Sequence, residues 1–210
     1  MRKILLLAMP LLFLSCGVEY DAETRLVSET RIVDKLGNPI GGQPVEVWVS
    51  DNGASDMISN TVTNANGESL LIFPAPNDLE NGRIEIRFPQ NGAFQEKRFM
   101  EIKRADFTDY KYTLNNVVLY PLEDLTYLLV DLFNTSGGTL TALYLENNSA
   151  ADFVYVNESA EQSEPQTYFQ VLKNSTVDLV YTVRSPGGVE STQSVAVPVG
   201  NTSTSYTLNY

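Results

Sequence analysis

The sequence predicts an all-β chain of two tandem immunoglobulin-like, Greek-key-type β-sandwich domains. Three observations carry that expectation. Strand signals recur at short intervals, each bounded by Gly, Asn, Asp or Pro. The clearest alternate with period two: Val45, Val47 and Val49 against Glu46, Trp48 and Ser50; Ile84, Ile86 and Phe88 against Arg83, Glu85 and Arg87; Tyr206, Leu208 and Tyr210 against Ser205, Thr207 and Asn209. No stretch sustains a helical period with caps at both ends.

Taken in order, residues 1–15 have the three parts of a secretory signal. Arg2 and Lys3 give the positive end, Ile4 to Leu14 an apolar run broken by Pro10, and Ser15 a small residue at the cut. A run of about eleven residues is too short for a bilayer, which needs about twenty. Residues 16–24 are polar and acidic, with Glu19, Asp21 and Glu23, and are expected to form a flexible tether.

Seven strands are expected next, near 25–33, 44–50, 58–63, 69–73, 83–88, 94–102 and 110–119. Seven more follow near 125–133, 139–146, 152–157, 167–172, 177–184, 193–199 and 204–209. Seven strands over roughly a hundred residues is the size of one sandwich. The expected domains are therefore 25–120 and 125–210, joined by a linker at 121–124, where Pro121, Glu123 and Asp124 interrupt apolar runs, with a single long sandwich as the competing reading. Residues 16–120 carry 10 basic and 16 acidic side chains, and residues 121–210 only 2 and 10, so the halves also differ in charge.

Composition excludes several functions. Losing Arg2 and Lys3 with the signal takes the formal net charge from −12 to −14, and such a surface repels phosphate backbones, so nucleic acid is not an expected partner. The chain has no histidine and a single cysteine, Cys16. Serine–histidine and cysteine–histidine hydrolysis are thereby ruled out, along with thiolate or imidazole metal sites. No cofactor is expected. A carboxylate-dependent surface hydrolase remains the alternative, and it needs two acids about 5–10 Å apart in a cleft.

Phe13-Leu14-Ser15-Cys16-Gly17 resembles the lipobox of bacterial lipoproteins in its loose Leu/Phe-rich, Ser-Cys form, as in Bacteroidota. The resemblance implies acylation of Cys16, attachment to the outer membrane through that lipid, and surface exposure behind the acidic tether. It departs from the enterobacterial pattern at Phe13 and Leu14. The stretch from Arg31 to Val47, with Leu36-Gly37-Asn38-Pro39 and Gly41-Gly42, is similar to the opening of carboxypeptidase-regulatory-like domains of the transthyretin-like group. Thr63-Asn64-Ala65-Asn66-Gly67 resembles that family's hairpin turn, with Asn64 where Asp is usual. About fifty residues are covered, and they imply a fold rather than an activity.

Trp48 is the candidate binding side chain. It shares a strand face with Glu46 and Ser50, where it could stack on a sugar or anchor a protein partner, unless another segment covers it. Asp51, Asn52 and Asp56 concentrate oxygen atoms in one loop that could take calcium or simply turn the chain. Arg83, Arg87, Lys97, Arg98, Lys103 and Arg104 are the main cationic cluster, and Glu85, Glu96 and Glu101 lie among them in position to pair across strands. Five Asn-x-Ser/Thr triplets, at Asn134, Asn147, Asn157, Asn174 and Asn201, reflect an Asn/Ser/Thr-rich composition. The function expected is non-catalytic: a cell-envelope lipoprotein presenting two sandwiches for binding or for a structural, accessory role, in adhesion, glycan capture or assembly of an envelope complex.

Overall fold

The computed structural model describes residues 18–51, 54–77, 83–157 and 165–210. The signal, Cys16 and Asn52 lie outside them. Fourteen strands are described: β1 (Tyr20–Val33), β2 (Pro44–Asp51), β3 (Ala54–Val62), β4 (Glu68–Pro76), β5 (Arg83–Phe88), β6 (Lys97–Ile102), β7 (Lys111–Val118), β8 (Leu125–Phe133), β9 (Thr139–Glu146), β10 (Phe153–Tyr155), β11 (Tyr168–Leu172), β12 (Thr176–Arg184), β13 (Glu190–Pro198) and β14 (Thr204–Asn209). Each matches one expected strand in place and order.

The first sandwich packs the sheet β4-β1-β7 on the sheet β6-β5-β2-β3. Its core takes the inward halves of the alternating strands: Val45, Val47, Val49, Ile86 and Phe88 are fully buried, with Leu26, Ile32 and Phe73 facing them. The second sandwich has β11-β8-β14 on β13-β12-β9, with its own core around Leu128, Leu143, Val171 and Leu179. The two halves repeat one topology. In each, the first strand pairs antiparallel with the fourth and parallel with the seventh, and the fifth pairs antiparallel with the second and the sixth.

One strand breaks the repeat. β3 lies beside β2, so its counterpart β10 belongs beside β9. Instead β10 runs parallel to β6 at the edge of the first sandwich, with Phe153 opposite Arg98 and Tyr155 opposite Met100. The expected second domain of 125–210 thus donates a strand to the first. The expected linker is also stitched in: residues Leu122–Asp124 form a 3-10 turn, Leu122 N–H donates to Ala93 C=O at 2.7 Å, and Lys35 pairs with Asp124 at 2.7 Å. The tether is shorter than expected, because Tyr20 and Asp21 already pair with Pro76 and Ala75.

Two turns carry the motif residues. Asp34 Oδ1 accepts the N–H groups of Leu36 and Asn38, closing the turn in which Gly37 sits at φ +84°. Asn64 Oδ1 accepts those of Asn66 and Glu68, and Gly67 follows at φ +73°. Asn can fill the first place of this turn as Asp does because the turn needs only a side-chain oxygen there.

Candidate functional site

The outer face of the five-stranded sheet is closed by ion pairs. Arg83 bonds Glu101 at 2.8 Å, Arg87 bonds Glu85 at 2.7 Å, and Arg98 bonds Glu96 and lies 3.8 Å from Glu85. Two of these pairs, Arg87–Glu85 and Arg98–Glu96, join residues two apart along the chain; Arg83–Glu101 and Arg98–Glu85 cross between β5 and β6, where register sets Arg87 opposite Arg98 and Glu85 lies near both. Lys97 leaves this face and turns toward the second domain. Trp48 is held within the array. Its indole N–H donates to Glu46 at 2.7 Å, and the Arg87 guanidinium lies over the ring, 4.1 Å from its centroid. One ring face is therefore occupied by a cation–π contact.

In the loop considered for calcium, Asp56 accepts the Tyr20 hydroxyl at 3.2 Å. Burial first, then Asp56, push the Tyr20 hydroxyl up to about 12. The side chains of Asp51 and Asn52 are outside the described residues. Among the described residues no three acids, cysteines or histidines are grouped to hold a metal.

A second set of polar contacts gathers where β10 meets β6. Arg98 N–H donates to Asp152 C=O at 2.7 Å, and Val156 N–H donates to Met100 C=O at 3.0 Å. Gln95, fully buried, donates to Ala150 C=O at 3.1 Å and accepts the Tyr120 N–H at 3.2 Å. Lys97, 6% exposed, donates to Ser149 C=O at 2.8 Å. Burial lowers its pKa to about 8, with Asp152 opposing the shift. Asp152 moves the other way, raised chiefly by its own burial. An amine and a carboxyl are desolvated together, so each favours its neutral form.

Beside this junction lies an aromatic crevice. Tyr127 on β8 and Tyr168 on β11 stack with centroids 4.7 Å apart and planes 22° from parallel. They are 39% and 56% exposed, and Phe153 on β10 is 40% exposed. Phe153 and Tyr168 line one cavity of about 120 Å³ together with Asn148, Asp152, Gln166 and Gln170. Asn148 spends its amide N–H on Gln170 C=O at 2.8 Å. The side-chain oxygen of Gln170, another lining residue, is buried and has no hydrogen-bond partner among the described residues. Beyond the tyrosines the sheet presents Leu129 beside Ser205 and Asp131 beside Thr207. The crevice exists because β10 is displaced: Phe153 and Asp152 reach it only from the first domain's edge.

A wider polar groove of about 440 Å³ crosses the outer face of β4-β1-β7, lined by Glu29, Arg31, Glu68 and Thr113 among others. Its acids are engaged, Glu29 by Lys111 at 2.8 Å and Glu68 by Asn64 at 3.1 Å.

No protein-family model matches the chain. No curated protein matches it either. Among solved structures, similarity extends to a streptococcal ancillary pilin (TM-score 0.34, 13% identity, 90% of this chain and 63% of that one). It extends also to the shaft pilin SpaA of Lactobacillus rhamnosus GG (TM-score 0.32, 11% identity, 89% and 98%). A third is a 9R-lipoxygenase from Cyanothece (TM-score 0.33, 19% identity), of which this chain spans 17% while 49% of its own length is covered. Overlap this shallow transfers neither fold nor function, and both rest here on the chain's own residues.

Tyr127, Tyr168 and Phe153 did not stand out in the sequence. Residues 125–133 are apolar on both faces, so their pattern does not say whether Tyr127 or Leu128 points outward. Phe153 acquires its place only through a long-range pairing.

Proposed function

We propose that the protein is a non-catalytic cell-surface module, anchored by lipid at Cys16, that binds a neutral glycan across the crevice between its two sandwiches. The observation that carries this is the stacked Tyr168–Tyr127 pair beside Phe153, flanked by amide and hydroxyl side chains. Sugar rings offer apolar C–H faces to aromatic rings and hydroxyls to amides and carboxylates, and the crevice supplies both. A cavity of about 120 Å³ is too small to enclose a sugar ring, which suits binding along an exposed chain. The formal charge of −12 disfavours acidic glycans. The lipobox-like ending at Cys16 and the opening that resembles carboxypeptidase-regulatory-like domains support the surface placement and an accessory role. A hydrolase needs two convergent acids, and among the described residues Asp152 is the carboxylate that lines this crevice.

The test is a glycan array followed by titration with the best neutral oligosaccharide. Tyr168→Ala is expected to weaken binding by about tenfold or more. Trp48→Ala is expected to leave it unchanged, because Trp48 lies on β2 and does not line the crevice. Cys16→Ser should move the protein out of the membrane fraction without altering the affinity of the purified chain. Binding that survives Tyr168→Ala, or no glycan binding at all, would defeat the crevice reading; retention of Cys16→Ser in membranes would defeat the anchor.

A further inference from the structure

We infer that β13 is a strand-pairing edge through which two copies of this chain join in a twofold dimer, fusing their β13-β12-β9 sheets. This goes beyond the glycan reading and stands or falls independently of it.

The topological repeat points to the edge. β13 is the counterpart of β6, and in the first sandwich that position is completed by an added strand, β10. No described strand completes β13. The other edges carry devices that blunt pairing. β4 contains Pro74 and Pro76 and a register shift against β1. β3 and β7 face shifted registers on their inner neighbours. β9 has a shift against β12, and its Leu143 C=O accepts the Gln166 N–H. β10, β11 and β14 are 3, 5 and 6 residues long. β13 has nine residues in unbroken register with β12, and its only charge is Glu190 at the start.

The backbone phase of β13 can be read from its ends. Val199 N–H donates to Ser175 C=O at 2.7 Å, and Ser185 N–H donates to Val189 C=O at 2.9 Å. Both bonds turn the odd-numbered residues toward β12. In an antiparallel ladder the alternate residues then face away, so Thr192, Ser194 and Ala196 point their N–H and C=O groups at the open edge, where all three are exposed.

The occupant follows from that phase. An antiparallel second β13 centred on Ser194 sets Ser194 against Ser194, Thr192 against Ala196 and Glu190 against Pro198 of the other copy. Every outward N–H of these residues meets a carbonyl. Pro198, which has no N–H to offer, falls at the ends, where pairing stops. Small uncharged side chains meet throughout the middle, and the glutamates sit at opposite ends. A self-complementary patch of this kind is what twofold symmetry requires. The opposing force is charge, because residues 121–210 carry 10 acidic and 2 basic side chains and two such domains repel. Salt screens that repulsion without touching the backbone bonds.

The test is sedimentation of the full chain carrying Cys16→Ser. A concentration-dependent monomer–dimer equilibrium is expected, with Kd on the order of 10 µM, as suits a small interface. Raising the salt should tighten it. Ser194→Ala keeps the backbone bonds and should dimerise normally. Ser194→Pro removes the central N–H on the open side and should weaken dimerisation at least tenfold with the melting curve retained. If Ser194→Pro fails to fold, Ser194→Cys decides instead: oxidation should give a covalent dimer, whereas Ser59→Cys on β3 should not. A strictly monomeric wild type, a dimer that survives Ser194→Pro, or crosslinking at Ser59 in place of Ser194 would overturn the proposal.

Discussion

Gly67→Ala is expected to destabilise the first sandwich by about 3 kcal/mol, read as a shift of the denaturant midpoint. Two costs combine. Gly67 has φ +73°, and a Cβ added there would lie 2.2 Å from the Ile32 carbonyl oxygen, which is backbone and cannot swing aside. Gly42 separates them. It has φ +76° with nothing within 4 Å of an added Cβ, so Gly42→Ala carries only the left-handed penalty of about 1–2 kcal/mol. Equal losses in the two variants would show that close packing of the Asn64–Gly67 turn against β1 adds nothing.

Lys97 should give the chain an alkaline stability gradient. Its pKa in the folded state is about 8, against an ordinary 10.5. Between those values the unfolded chain binds the proton that the folded chain has released, so stability rises with pH across the window and is flat below it. The full rise is roughly 3 kcal/mol. Denaturation at pH 7 and pH 10 captures most of it, and Lys97→Met should remove the Lys97 share of the difference. Tyr20, raised to about 12, contributes with the opposite sign as pH climbs above 10, but equally in both proteins, so it cancels in the comparison. A gradient unchanged in Lys97→Met would mean that the amine is solvated at the junction.

Most of the fold was legible because it is local. The alternation of Val45, Val47 and Val49 with Glu46 and Trp48 defines a strand and its inner face, and Asn64 and Gly67 define a turn, without reference to the rest of the chain. β1 was harder to orient, because it sends Ser28 and Thr30 into the core, both almost fully buried and without hydrogen-bond partners for their hydroxyls among the described residues. The stretch from Tyr20 to Thr24 reads as an acidic tether because its strand character comes from pairing with Ala75 and Pro76, not from its own composition. β10 was legible as a strand but not in its place. Nothing in Phe153, Val154 and Tyr155 distinguishes pairing with β9 from pairing with β6. The decision lies in Gln95, Lys97 and Tyr120 meeting Ser149 and Ala150 some fifty residues away in sequence or less. The candidate site inherits that distance. Trp48 is conspicuous in sequence but held inside its own sheet, while the exposed aromatic group is assembled from three strands.

The displaced strand underlies both the junction and the crevice, and amide hydrogen exchange tests it most directly. If β10 completes the first domain's sheet, the N–H groups of Arg98 and Val156 are locked in bonds to Asp152 and Met100 and should exchange as slowly as those of β5. Exchange of both at the rate of an open loop, with β5 still protected, would contradict the strand addition and remove the crevice with it.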